Sequence, residues 1–191
     1  MKKVIFVAAF AVAGFVSQAQ TTFGIKAGLT IANLTGDDAD GFSSKAGGYG
    51  GAFANIPVST MFSVQPEVLF SMEGAKFDGG KLNLNYINIP VMLQYHSSGF
   101  VGELGPQIGI LASAKQKIDG VGDSDAKDFL KSSSFAINFG AGYKLDNGFG
   151  FGVRYSLGLS NIAKESDASI KTSVFSVGLS YAFGGSAKSN D

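Results

Sequence analysis

Between Ser134 and Leu159 the chain alternates, one side chain bulky and the next small or polar. One set is Phe135, Ile137, Phe139, Ala141 and Tyr143, continued by Phe149, Phe151, Val153, Tyr155, Leu157 and Leu159. The other is Ala136, Asn138, Gly140, Gly142 and Lys144, continued by Gly150, Gly152, Arg154, Ser156 and Gly158. A period of two belongs to β-strands, and Asp146-Asn147-Gly148 between the runs predicts a hairpin. Leu145 and Phe149 share a face, so they can pair across three residues, with Gly148 supplying the left-handed position.

The composition of the two faces decides what kind of sheet this is. A soluble sandwich buries its apolar face and shows water a charged one. Here the second face is glycine, serine and asparagine with one arginine, and the first is almost continuously aromatic and aliphatic. That distribution fits a small membrane barrel, with bulky groups toward lipid and a tight, polar interior. A slip of one residue would place Arg154 in hydrocarbon at about 2–4 kcal/mol and force rings into a narrow lumen, so the register is well determined.

The same pattern recurs along the chain. Thr22 to Leu34 alternates Phe23, Ile25, Ala27, Leu29 and Ile31 with Gly24, Lys26, Gly28, Thr30 and Ala32. A second strand lies near Gly47 to Ile56, where glycine on both faces leaves its facing unassigned. Met61 to Ser71 sends Phe62, Val64, Pro66, Val68 and Phe70 one way and Ser63, Gln65 and Glu67 the other. Pro66 lacks a ladder donor and is expected at an edge-like or bulged position. Asn83 to Tyr95, Phe100 to Leu111 and Thr172 to Phe183 complete the set around the hairpin. Eight strands result, with long loops at 35–45, 72–82, 112–133 and 160–171 alternating with short turns. The fold class is therefore all-β, an eight-stranded antiparallel up-and-down transmembrane barrel, with its short turns on the periplasmic side. Outward rings gather at that rim: Phe23, Tyr95, Phe100, Tyr143, Phe149 and Tyr181, as an interfacial girdle would.

Composition adds limits. The 27 glycines and 17 phenylalanines supply the small and bulky sets, and only 16% of residues are charged, against about 25% in ordinary soluble domains. A formal net charge of zero gives no electrostatic reason for a nucleic-acid partner. The absence of cysteine excludes disulfides and a lipid-modified N-terminal cysteine. Residues 1–19 read as a signal peptide: Lys2 and Lys3, an apolar run from Val4 to Val16, and Ser17-Gln18-Ala19 as the cleavage site. The run is too short to span a bilayer as a helix. Residues 20–183 are then the barrel and 184–191 a polar tail. The protein is expected in the outer membrane.

Chemistry is sparse. Glu67, Glu103 and Arg154 share the inward face, with Lys26 and Gln107 of similar character. Isolated charges in a narrow interior are costly, so these groups are expected to pair as a plug. A gated pore or proton path would require the pairs to rearrange. His96, the one histidine, falls in a predicted periplasmic turn, away from any nucleophile and acid. Aspartates at 37, 38 and 40 and at 119, 123, 125 and 128 offer oxygen ligands, but neither run has the spacing of a calcium loop. The glycine clusters at 47–51 and 148–152 lack the helix and lysine of a phosphate loop.

Several stretches carry a family resemblance: GIKAGLTIANL at 24–34, SVQPEVLFSMEGAKF at 63–77, LNYINIPVMLQY at 84–95, GELGPQIGIL at 102–111, and INFGAGY with GFGVRYSLGLSNI within 137–162. Together they resemble the outer-membrane β-barrel domain family common in Bacteroidetes, the porin-family or PorT-like small barrels. The likeness covers nearly all of the chain after residue 19. YAF at 181–183 is similar to the signal by which barrel assembly machinery recognises its substrates, although here eight residues follow it. The resemblance implies a fold and a place, and no single activity.

The expectation is a non-enzymatic outer-membrane barrel without cofactor or metal. Its partners would be outer-membrane lipid, the assembly machinery during biogenesis, and an extracellular molecule met by four long loops in a structural, adhesive or recognition role. Two other readings stand beside it: a small-solute channel, and a soluble lipocalin-type barrel whose interior would be lined by the aromatic set.

Overall fold

A computed structural model of the chain describes residues 21–36, 41–118, 120, 122–164 and 170–183. The segment expected to be a signal peptide, the expected polar tail and Asp37, Asp38, Asp40 and Asp119 lie outside the described residues. The strands are β1 (Thr22–Thr35), β2 (Ser43–Pro57), β3 (Phe62–Phe77), β4 (Gly80–Ser97), β5 (Phe100–Ile118), β6 (Gly122–Asp125), β7 (Ser133–Lys144), β8 (Phe149–Gly158) and β9 (Lys171–Phe183). All pairings are antiparallel. Each long strand pairs with its neighbours in sequence, and β1 pairs with β9, so eight strands close into a barrel. The short β6 adds only to the upper end of β5. Closure leaves no free edge along the barrel wall, which is the condition for strands to cross a bilayer.

Turn chemistry explains one rim. Ser98 and Gly99 have φ of 48° and 87°, so both central residues of the β4–β5 turn are left-handed, the primed geometry that suits a two-residue hairpin. At the β7–β8 turn the Leu145 N–H donates to Phe149 O at 2.7 Å, and Gly148 adopts φ 88°. That is the three-residue loop read from the sequence.

The opposite end departs from expectation in three ways. The second connection, expected at 72–82, is a turn at Asp78 and Gly79; β3 and β4 run on through Phe77 and Gly80 in unbroken register. The third, expected as loop from Ala112 to Ser133, contains seven more residues of β5, the strand β6 and a short 3-10 turn, Lys127–Phe129. The first and fourth connections hold no strand among the described residues. Pro66 is likewise neither at an edge nor in a bulge. The β2–β3 partners Phe53↔Glu67 and Ile56↔Val64 keep one register on either side of it, and Pro66 faces Val91 on β4.

The register assigns β2. Its partners place Lys45, Gly47, Tyr49, Gly51, Phe53 and Asn55 inward, and Ala46, Gly48, Gly50, Ala52 and Ala54 toward lipid. The bulky residues of the other strands lie outside: Phe23, Leu29, Phe70, Leu104, Phe139, Phe151 and Leu179 are all exposed. Inside are Ser63, Gln65, Glu67, Asn88, Gln94, Asn138 and Arg154, all buried. The aromatic set therefore does not line the lumen, as a lipocalin-type interior would need.

Candidate functional site

The middle of the lumen is filled by one ionic group. Arg154 on β8 donates from Nη1 to Glu67 Oε2 at 2.8 Å and from Nη2 to Glu67 Oε1 at 2.9 Å, a two-pronged pair across the barrel. Its Nε donates to Glu103 Oε1 on β5 at 2.7 Å. Lys26 on β1 donates from Nζ to Glu67 Oε1 at 3.0 Å. The Glu67 side chain is 0% exposed and that of Arg154 9%. Two carboxylates meet two cations, so the group is neutral as a whole, and the planar guanidinium uses its fork on both acids.

Gln107 does not join this group. It accepts from Asn138 Nδ2 at 3.1 Å, farther up the lumen. Below Arg154 the network continues through residues that the sequence did not single out. Gln65 Nε2 donates to Glu67 Oε1 at 2.8 Å, and Gln94 Nε2 to Glu103 Oε2 at 3.0 Å. Asn55 Nδ2 reaches Ser63 Oγ, Gln65 Oε1 and Gln94 Oε1. The chain of bonds ends at His96, whose Nε2 lies 2.7 Å from Ser63 Oγ. His96 thus belongs to the end of β4 and points into the barrel, correcting its expected place on a surface turn. Among the described residues no carboxylate hydrogen-bonds to His96, and Ser63 is already held by Asn55.

Tyr49 completes the barrier beside Arg154. Its ring lies across the lumen against β1 and β9, where a Cβ at Gly28 or Gly178 would strike it. Arg154 and Tyr49 separate two cavities. The lower, about 100 Å³, is lined by Lys26, Asn55, Gln94, His96 and Glu103 and reaches the short-turn rim at Lys144 and Gly148. The upper, about 30 Å³, is lined by Thr30, Glu73, Asn88, Gln107 and Ser156.

A second closure lies above. Leu34, Ala75, Leu84, Tyr86, Leu111 and Ala114 from the strands bury themselves with Ala126 and Ile162, which the third and fourth connections carry inward; Phe42, Leu82, Leu130 and Ile170 pack against them. Backbone bonds fix these connections to each other: Lys131 N–H to Ile162 O at 2.8 Å, and a bridge between Leu130 and Ala163. Little in the sequence signals this cap, because the apolar residues of the connections have no regular period.

At the short-turn rim the outward rings pair across neighbouring strands. Phe100 and Tyr143 are 4.9 Å apart edge-on, and Phe149 and Tyr181 4.8 Å apart. Phe23 faces Phe183 in the β1–β9 ladder, and Tyr95 lies 5.3 Å from Phe62. Among the described residues no group of three histidines, cysteines or carboxylates is placed to hold a metal ion.

A model of a family described as outer membrane protein beta-barrel domain matches residues 17–164. Among solved structures, Neisserial surface protein A aligns with a TM-score of 0.58 at 16% identity, covering 83% of this chain and 96% of that one. Ail, the attachment invasion locus protein of Yersinia pestis, aligns with a TM-score of 0.52 at 15% identity, covering 85% and 98%. Ail in complex with the heparin analogue sucrose octasulfate gives 0.51 at 14% identity, covering 85% and 99%. At these identities the likeness is one of fold. No curated protein matches the chain.

Proposed function

The chain belongs to the outer membrane protein β-barrel domain family, and we propose that it is a closed, non-enzymatic barrel that presents its extracellular end for recognition. It is an integral outer-membrane protein whose outward side chains meet lipid. The observation that carries the reading is the double closure of the lumen, by the Arg154 group in the middle and by the apolar cap above. An eight-stranded wall encloses room for side chains and little else. What it offers to the outside is the surface made by β6, the 3-10 turn and the two structured connections. The similarly folded Ail has been solved in complex with the heparin analogue sucrose octasulfate, which supports a recognition role for a barrel of this fold.

The plug is structural in this reading, and the rim rings are membrane anchors. Tyr181 and Phe183 both point outward at the end of β9, their rings 5.5 Å apart, which supports engagement by the assembly machinery. A finer placement among the PorT-like barrels of Bacteroidetes rests on the motifs quoted above. Purified full-length protein in planar bilayers gives no stepwise currents if the plug and cap persist. Regular steps with each insertion contradict the proposal and favour a small-solute channel.

A further inference from the structure

Glu73 on β3 is a buried carboxylate that the plug does not use, 5% exposed. Among the described residues the ion pairs involve Glu67 and Glu103, and none involves Glu73. Asn88 Nδ2 donates to its Oε1 at 2.8 Å. In the ladder Asn88 stands opposite Leu69, whereas Glu73 stands opposite Leu84. The carboxylate therefore reaches back along β3 toward the plug, into the upper cavity, whose wall it shares with Asn88.

The neighbouring cations are engaged elsewhere. Lys45 on β2 stays at the level of the backbone, where its Nζ donates to the carbonyl oxygen of Glu73 at 3.0 Å. Arg154, in the cavity floor, gives its hydrogen bonds to Glu67 and Glu103. A buried charge is ordinarily paired or coordinated to a metal ion, because an isolated one is too costly to keep.

The cavity offers room and oxygens. Its volume is about 30 Å³, enough for about two particles the size of water. Ser71, Ser156 and Gln107 line it, and so does Thr30, whose hydroxyl donates to Met72 O at 3.2 Å and keeps its lone pairs free. Two buried oxygens at the margin, the hydroxyl of Tyr86 in the cap above and Asn138 Oδ1 beside Gln107, have no hydrogen-bond partner among the described residues.

Charge and size select the ligand. Calcium takes about six to eight oxygens, and magnesium demands an octahedron that keeps several waters. Against one carboxylate either ion would leave a positive charge buried, whereas a monovalent ion cancels it. We propose that the upper cavity binds a small monovalent cation of the sodium class. Glu73 is its anionic ligand, and the neutral oxygens of Ser71, Gln107 and Ser156 complete its surroundings, joining β3, β5 and β8 above the plug. The site lies beneath the cap, so the inference is independent of what the extracellular connections recognise.

The test is urea unfolding of the full-length protein in phosphatidylcholine vesicles, in mildly alkaline buffer. Sodium chloride is exchanged stepwise for N-methylglucamine chloride at constant ionic strength. An ion bound by the folded state alone lowers the unfolding constant about tenfold for each tenfold rise in its free concentration above its dissociation constant. Wild type follows that slope. Glu73→Gln, which still accepts from Asn88, loses it. Wild-type stability that ignores the exchange overturns the proposal and makes Glu73 a protonated acid. A slope that survives in Glu73→Gln also overturns it, since the ion then acts elsewhere, and so does stabilisation by magnesium without any by sodium. Should Glu73→Gln fail to fold, the wild-type slope is measured again in acid, where protons compete with the cation for the carboxylate. Flattening of the slope supports the site, and an unchanged slope overturns it.

Discussion

Arg154→Met lowers the stability of the barrel toward urea by about 3–5 kcal/mol, because it leaves buried carboxylates without their cation. Glu67 has a fully enclosed side chain, and two of its hydrogen bonds come from this guanidinium. Lys26 and Gln65 remain to serve it, but among the described residues Glu103 keeps Gln94 alone. The comparison that isolates the cause is Arg154→Met combined with Glu67→Gln and Glu103→Gln. Removing the whole charged group leaves no unpaired ion, so the triple variant loses less than the single one. Unfolding is followed in lipid vesicles by the loss of heat-modifiable migration with urea. Equal losses in the two variants would show that lost packing, and not an uncompensated charge, sets the cost.

The neighbouring residue gives the second large effect, with the opposite logic. Val153→Arg destabilises the barrel by about 2–4 kcal/mol, since Val153 is exposed on the outer wall near the middle of the apolar band. Phe149→Arg, at the rim beside Tyr181, costs only about 0–1 kcal/mol in charge terms. The same urea measurement in vesicles reads both. The gradient with depth is the informative part: a soluble barrel has no midplane, and the two substitutions would then differ little. One position along β8 thus requires an arginine where the preceding one excludes it, and only the pleat separates them.

Much of this was legible in the alternation itself. Wherever bulky and small residues take strict turns, as in β7 and β8, parity assigns both faces and the turn at Leu145–Phe149 follows. Parity also placed Glu67, Glu103 and Arg154 on one face. Closure of the ring then brings residues as distant in sequence as 67 and 154 within 2.8 Å, which no local pattern states. The glycine-rich β2 was opaque because neither face carries bulk, and its register comes from β1 and β3. The upper parts of β3, β4 and β5 carry no strand signal because the apolar period ends at the lipid boundary. The strands continue beyond it, held by ladder bonds and by the cap. His96, two residues before the Ser98-Gly99 turn, still has its direction set by β4, which turns it toward Ser63.

The central claim is that the rings of β7 and β8 touch acyl chains while Arg154 is enclosed. Because the chain has no cysteine, Phe139→Cys and Phe151→Cys each create a unique labelling site. A bimane label at either position, in vesicles whose acyl chains carry bromine at mid-depth, is predicted to be strongly quenched by the lipid and untouched by aqueous iodide. Quenching by iodide and not by the brominated chains would contradict the account.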